Sequence, residues 1–247
     1  MRMSYELYSD EHYHHIPGKH YLMLGGIVCT ANRGEKLVNS LSQVRTTFNL
    51  TKEMHWEKVS NRYIGAYKAW VDVFLKDDLA RFSLFIIDMS GSAWNNFNPR
   101  PNRTANRDER LASAYYQFLL VSFGGIYDTI SWGVYPDKGF FSRDTVVDRV
   151  GFLLNRTYKK ALGSKMPRII HRIGAYDSKR VELIQLADVL LASLSYSVIP
   201  SPKLTSASSL ELVDHCMIGI KQNPKDKYGR DRLIVKHWVP PEEFRYN

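Results

Sequence analysis

A scattered set of carboxylates carries the chemistry that this sequence could support. Asp10-Glu11 follows the tyrosine-rich stretch Ser4-Tyr-Glu-Leu-Tyr-Ser, and Glu53 stands just before Met54-His55-Trp56. Asp88 ends the run RFSLFIID, Asp137 follows TISWGVYP, and Asp177 precedes the segment from Val181 to Leu194. Asp188 interrupts that segment, where its neighbours are nearly all apolar and Gln185 lies one helical turn before it. Burying an unpaired carboxylate costs several kcal/mol or more, so a buried Asp188 needs a compensating partner. Clustered carboxylates repel one another in a low-dielectric site and stay ionised together only if cations neutralise them. An all-oxygen set favours Mg²⁺ or Mn²⁺ over zinc, and two such ions can clamp the attacking and leaving oxygens of a phosphodiester. Each acid also has a plain structural reading. Asp88 before Met-Ser-Gly fits a turn, Asp177-Ser178 fits a helix cap, and Asp137-Lys-Gly fits a turn after a strand. Asp10-Glu11 fits a hairpin loop, and Glu53 fits a surface acid.

Strands are expected at Ser4–Ser9, ending at Asp10, and at His20–Thr30, with Pro17-Gly18 as the turn of an antiparallel hairpin. Gly25-Gly26 marks a bulge or a close approach of another segment. Apolar spacing predicts helices near 34–48, 61–75, 108–124, 143–162, 181–196 and 206–221, and strands at 81–88, 129–135 and 168–173. Segment 52–59 is ambiguous, and 90–107 is a polar insertion rich in Asn and Pro. The order argues for one α/β domain over residues 1–247, with a mixed sheet flanked by helices and a basic C-terminal tail. Side chains at the carboxyl ends of neighbouring strands converge on one crevice in such a sheet, so Asp10 and Asp137 are expected to be neighbours.

The acids and their surroundings resemble the DUF3800 family, whose members have an RNase H-like fold. The pieces are YSDEHYHH, YLMLGGIV, Glu53-Met54-His55-Trp56, GVYPD, and Asp177-Ser178 leading to Gln185-Leu186-Ala187-Asp188. The last piece is the most distinctive. His12 stands where the family has serine, and His55 where it has lysine. The resemblance covers about Tyr5 to Ser197. It implies an RNase H-like mixed β-sheet flanked by helices and a metal-dependent nuclease. By the same resemblance Asp10, Glu53, Asp137 and Asp188 hold Mg²⁺ or Mn²⁺ and are catalytic, while Glu11, His55, Asp177 and Gln185 support them or position substrate. The alternative is a non-catalytic binding or regulatory protein that kept the fold.

The 247 residues carry 34 Lys and Arg against 25 Asp and Glu, a formal charge of +9 that suits a polyanion such as DNA or RNA. Arg100, Arg103, Arg107 and Arg110 mix with Trp94 and Phe97 in the manner of nucleic-acid surfaces, though a solvated insertion has the same composition. Lys221, Lys225, Lys227, Arg230 and Arg232 form a second basic stretch, read as a solvated face. His12, His14 and His15 are expected in a polar hairpin loop, with a metal or proton-relay role as the other reading. Cys29 and Cys216 are far apart and make neither a zinc pattern nor a disulfide framework, which points to a reducing, cytoplasmic setting. The N-terminus lacks a signal-type apolar run, and no stretch is long and apolar enough for a membrane helix. No Walker loop, nucleophile elbow or dinucleotide fingerprint occurs.

Overall fold

The structure is a computed structural model that describes residues 4–91, 94, 107–123, 131–139, 144–162, 170–201 and 206–239. The first strand, β1 (Ser4–Ile16), turns at Pro17-Gly18 into the antiparallel β2 (Lys19–Thr30). Gly18 takes φ 73, the left-handed conformation that glycine adopts without a Cβ penalty. Helices α1 (Ala31–Thr47) and α2 (Ile64–Leu75) follow, then β3 (Arg81–Asp88) and α3 (Arg107–Phe123). The chain continues as β4 (Ser131–Pro136), α4 (Asp144–Leu162), β5 (Ile170–Ile173), α5 (Glu182–Val198) and α6 (Ala207–Gln222), and closes with β6 (Leu233–Trp238).

The six strands form one mixed sheet in the order β5-β4-β1-β2-β3-β6. Within it β2 runs antiparallel to both of its neighbours, and the other adjacent pairs are parallel. This α/β arrangement is compatible with an RNase H-like fold. Over β2 and β3 both faces are covered, so these strands read as near-continuous apolar runs. In β3, Phe82, Leu84 and Ile86 point toward α1, α2, α5 and α6, whereas Phe85 and Ile87 point toward α3. At Gly25 a Cβ would stand 2.7 Å from Leu191 Cδ1 and 2.8 Å from Phe82 Cζ. The glycine therefore serves the close approach of α5 to the sheet, and the ladder runs through it without a bulge.

One expectation about β1 is corrected. The strand does not end at Asp10: β2 keeps pairing with β1 up to Ile16↔Lys19, so Asp10, Glu11 and the three histidines are strand residues and not loop residues. His14 is buried accordingly. In the basic stretch, Lys221, Lys225 and Lys227 are exposed, whereas Arg232 is buried. Arg230 Nε pairs with Asp226 at 2.6 Å, Lys225 Nζ pairs with Asp231 at 2.5 Å, and the Arg232 guanidinium donates to the Phe74 and Leu75 carbonyls at the C-terminus of α2. Those carbonyls have no partner within their own helix, which explains the burial of Arg232. The β6 strand was not read from the sequence. Its half-exposed edge position, with Lys236 and His237 outward, hides the apolar alternation. Of the 90–107 insertion, residues 92–93 and 95–106 lie outside the described residues, as do Arg100, Arg103 and Phe97. No helix among the described residues is long and apolar enough to cross a membrane.

Candidate carboxylate cleft

The site grows from a mismatch in strand length. Strand β4 pairs with β1 only as far as Ser9↔Pro136, while β1 continues for seven more residues beside β2. This leaves a notch in which β1 has no paired strand on the β4 side among the described residues. Asp137 closes the notch: its N–H donates to the Ser9 carbonyl at 2.9 Å, which sets it beside Asp10. The expected adjacency of Asp10 and Asp137 is thus present, although the crevice opens along β1 and not at its end.

A cleft of about 570 Å³ occupies the notch, and Asp10, Glu11, Glu53, Asp137 and Asp188 all line it. They come from four separate parts of the chain. Asp188 reaches in from α5, and its Oδ2 accepts the Trp56 N–H at 2.9 Å. His55 Nε2 stands 3.7 Å from the same oxygen. Glu53 lies in an irregular stretch. Its Oε1 accepts the Ser178 hydroxyl at 2.9 Å, and Lys58 Nζ stands 3.8 Å from Oε2.

Irregular backbone must find hydrogen-bond partners outside regular structure, and here side chains supply them. Gln185 Oε1 accepts the Met54 N–H at 3.0 Å and Arg45 Nη2 at 2.7 Å, while its Nε2 donates to the Ser178 carbonyl at 2.8 Å. Arg45 also holds the Lys52 carbonyl at 2.8 Å, and the Tyr67 hydroxyl donates to the His55 carbonyl at 2.7 Å. Gln185 thus fastens both the Glu53 and the Ser178 segments to α5. Arg45 and Tyr67 play similar parts and carried no motif that sequence reading could find.

The electrostatics are those of buried like charges. Burial pushes the Asp10 carboxyl well above the usual carboxylate range, and Asp188, Glu11 and Asp137 add to the effect, while the Glu11 N–H opposes it. Burial raises Glu11 to about 8, with the Asp137 charge next in weight. Asp188 is also raised by burial, with His55 and the Trp56 N–H pulling the other way. Glu11 Oε2 is buried without a hydrogen-bond partner. No Lys or Arg among the described residues forms an ion pair with Asp10, Glu11 or Asp137. Glu11, expected in a supporting role, therefore sits among the central acids.

The remaining acids do structural work. Asp137 accepts the Ser178 N–H at 3.1 Å and the Gly139 N–H at 2.9 Å, so it braces the turn while facing the cleft. Asp177 lies outside the cleft lining; its carboxylate accepts the Lys179 N–H at 3.1 Å and caps the short turn Ser178–Arg180. Asp88 accepts the Ser90 N–H at 2.8 Å, as a turn residue does. One wall of the cleft is aromatic: Trp56 stacks on Tyr196 at 5.5 Å, and His12 and His14 pack against the same tyrosine. Burial, with His14 next, lowers His12 to about 4, so its ring is neutral at physiological pH.

No protein-family model matches the chain, and no curated protein matches it. The chemical reading consequently rests on the residues themselves. Their donors are all oxygen, and the orphaned Glu11 oxygen, together with an Asp10 carboxyl whose ionisation burial disfavours, suits a hard divalent cation. As they stand, no three His, Cys, Asp or Glu side chains among the described residues are drawn in around a common point that could hold an ion.

Proposed function

We propose that the cleft is the reaction centre of a metal-dependent phosphodiesterase that cleaves nucleic acid. The observation that carries this reading is the meeting of half-buried Asp10, Glu11 and Asp137 with buried Asp188 in one cleft, without enough positive charge nearby to neutralise them. Structural acids are normally paired, and perturbed carboxylates that share a cleft mark a functional site. Asp10, Glu53, Asp137 and Asp188 would hold Mg²⁺ or Mn²⁺, with Glu11 as a further oxygen donor. When bound, the cation neutralises the cluster and lends Lewis acidity toward a phosphoryl oxygen. The chain's own residues do the rest. Asp137 and Gln185 hold the Ser178 turn against the cleft, Ser178 orients Glu53, and the Trp56 N–H orients Asp188. His55 stands at the rim where it can carry a proton or meet a phosphate.

The resemblance to the DUF3800 family and the net charge of +9 support the same reading. A second reading, a non-catalytic RNase H-like binding protein, is favoured by the lack of a ready-made ion-holding trio among the described residues. One experiment separates the two. Labelled DNA and RNA are incubated with wild type, Asp10→Asn and Asp188→Asn in Mg²⁺, Mn²⁺ or EDTA. Cleavage that needs the cation and both aspartates supports the enzyme. Absence of cleavage in every metal, or equal cleavage by the variants, leaves the binding protein.

A further inference from the structure

Beside the cleft lies a part of the sheet that its helices leave open. On the face that carries Asp10, the helices pack over β1, β2 and β3: α5 crosses all three, and α1 touches β1 and β2. Toward β4 and β5 the same face carries, among the described residues, a row of rings in place of a helix. Tyr8 stacks on Tyr135 with centroids 4.8 Å apart and planes 12° off parallel, and Tyr176 follows at 5.0 Å. All three rings are partly exposed. Their placement is fixed from beneath. The Tyr8 hydroxyl donates to Glu6 Oε2 at 2.6 Å and the Tyr135 hydroxyl to Glu6 Oε1 at 3.1 Å, so one carboxylate holds the edges of two rings. Gly133 lets the Tyr135 ring lie down on the sheet, since a Cβ there would meet ring atoms at 2.8–3.2 Å. Arg172 extends over Tyr135 and Tyr176, at 5.7 and 5.5 Å from their centroids.

We propose that this open face is a stacking platform that seats a single-stranded nucleic acid and leads it into the carboxylate cleft. The proposal rests on the phosphodiesterase reading of that cleft and names the form of its substrate. Three features point to this occupant. Exposed rings with a guanidinium laid over them match bases, whose flat faces stack on aromatics and arginine alike. Charge is complementary: Arg172, Lys138, Lys179 and Arg180 are exposed and have no carboxylate ion-pair partner among the described residues, which suits phosphates. Finally, the platform adjoins the acids: the Tyr176 N–H donates to the Pro136 carbonyl at 2.9 Å, which places the Tyr176 backbone beside that of Asp137. A duplex keeps its base faces stacked inside and offers none to such a surface.

The test measures fluorescence anisotropy of labelled oligothymidylate and of a duplex of equal length in EDTA, where no cleavage intervenes. The proteins are wild type, Arg172→Ala, Tyr176→Ala and Tyr176→Phe, each checked for an unchanged melting temperature. Wild type is expected to prefer the single strand. Tyr176→Ala is expected to lose roughly 5- to 150-fold in affinity, the range for one stacked base, and Tyr176→Phe to retain it. Arg172→Ala is expected to bind more weakly and with a shallower salt dependence. Alanine variants that bind the single strand as wild type does, or a wild type that prefers duplex or binds neither, would overturn the platform. The phosphodiesterase reading is judged separately, by cation-dependent cleavage of bis(p-nitrophenyl) phosphate by wild type and Asp188→Asn. That substrate is too small to need the platform, so either idea can fail without the other.

Discussion

Asp188 and Trp56 are joined across the cleft by a single hydrogen bond, from the Trp56 N–H to Asp188 Oδ2 at 2.9 Å. It ties the most buried acid of α5 to the irregular segment that carries Glu53. Asparagine can keep that bond and drop the charge. Asp188→Asn and Asp10→Asn are expected to be more stable than wild type in EDTA at neutral pH, by on the order of 1–3 kcal/mol, because they remove the cost of burying a carboxylate and, second to it, the like-charge repulsion. Both are expected to be inactive. Urea denaturation in EDTA checks the first statement, and a loss of stability in either variant would contradict it.

Cation binding reverses that ranking. Wild type is expected to gain about 2.7 kcal/mol at a concentration about a hundredfold above Kd of Mg²⁺ or Mn²⁺, since only the folded chain assembles the acids. Neither aspartate variant should gain as much. Thermal melts across a metal titration measure this, and equal gains in all three proteins would count against a shared ion site.

The pH dependence of stability follows from the same acids. Glu11 is raised from 4.5 to about 8, and Asp10 is raised as well, so the folded state binds more protons than the unfolded state across that interval. Their contribution is fully present below the unfolded value and is lost as pH rises through the folded one. His12 has the opposite sign. It is lowered from 6.5 to about 4, so its contribution is present above 6.5 and lost as pH falls toward 4. The interval from 6.5 to 8 therefore isolates the carboxylates. Stability in EDTA is expected to fall with pH across it, and saturating Mg²⁺ to flatten the slope. A rising or flat profile in EDTA would show that the acids are compensated in some other way.

Gln185 holds three partners at once, and leucine would strand the Met54 N–H and the Ser178 carbonyl. Gln185→Leu is expected to cost about 3 kcal/mol and to lower activity, because both tethered segments carry the cleft. Chemical denaturation gives the first and cleavage kinetics the second. Full activity in a destabilised variant would show that the tether serves the fold alone.

Gly25→Ala tests the close approach of α5. The added methyl would press on Leu191 and Phe82 in a packed core, with an expected loss of about 1–3 kcal/mol. A neutral substitution would show that α5 can shift, and with it Asp188.

Periodicity alone determined most of the elements. The apolar run of RFSLFIID, the helical spacing of α1, α2 and α5, and Pro17-Gly18 as a turn are local signals, and local geometry suffices to read them. Asp188 was conspicuous for the same reason, since a carboxylate within an apolar helix contradicts its neighbours. What tertiary structure decided is pairing. The extent of β1 depends on how far β2 accompanies it, and the notch depends on where β4 stops; neither strand encodes the other's length. The promotion of Glu11 to the central acids, the relegation of Asp177 to a turn cap and the burial of Arg232 follow from partners far away in the chain. A side chain's type states what it can do, and only its distant neighbours decide whether water, a carbonyl or another carboxylate stands beside it.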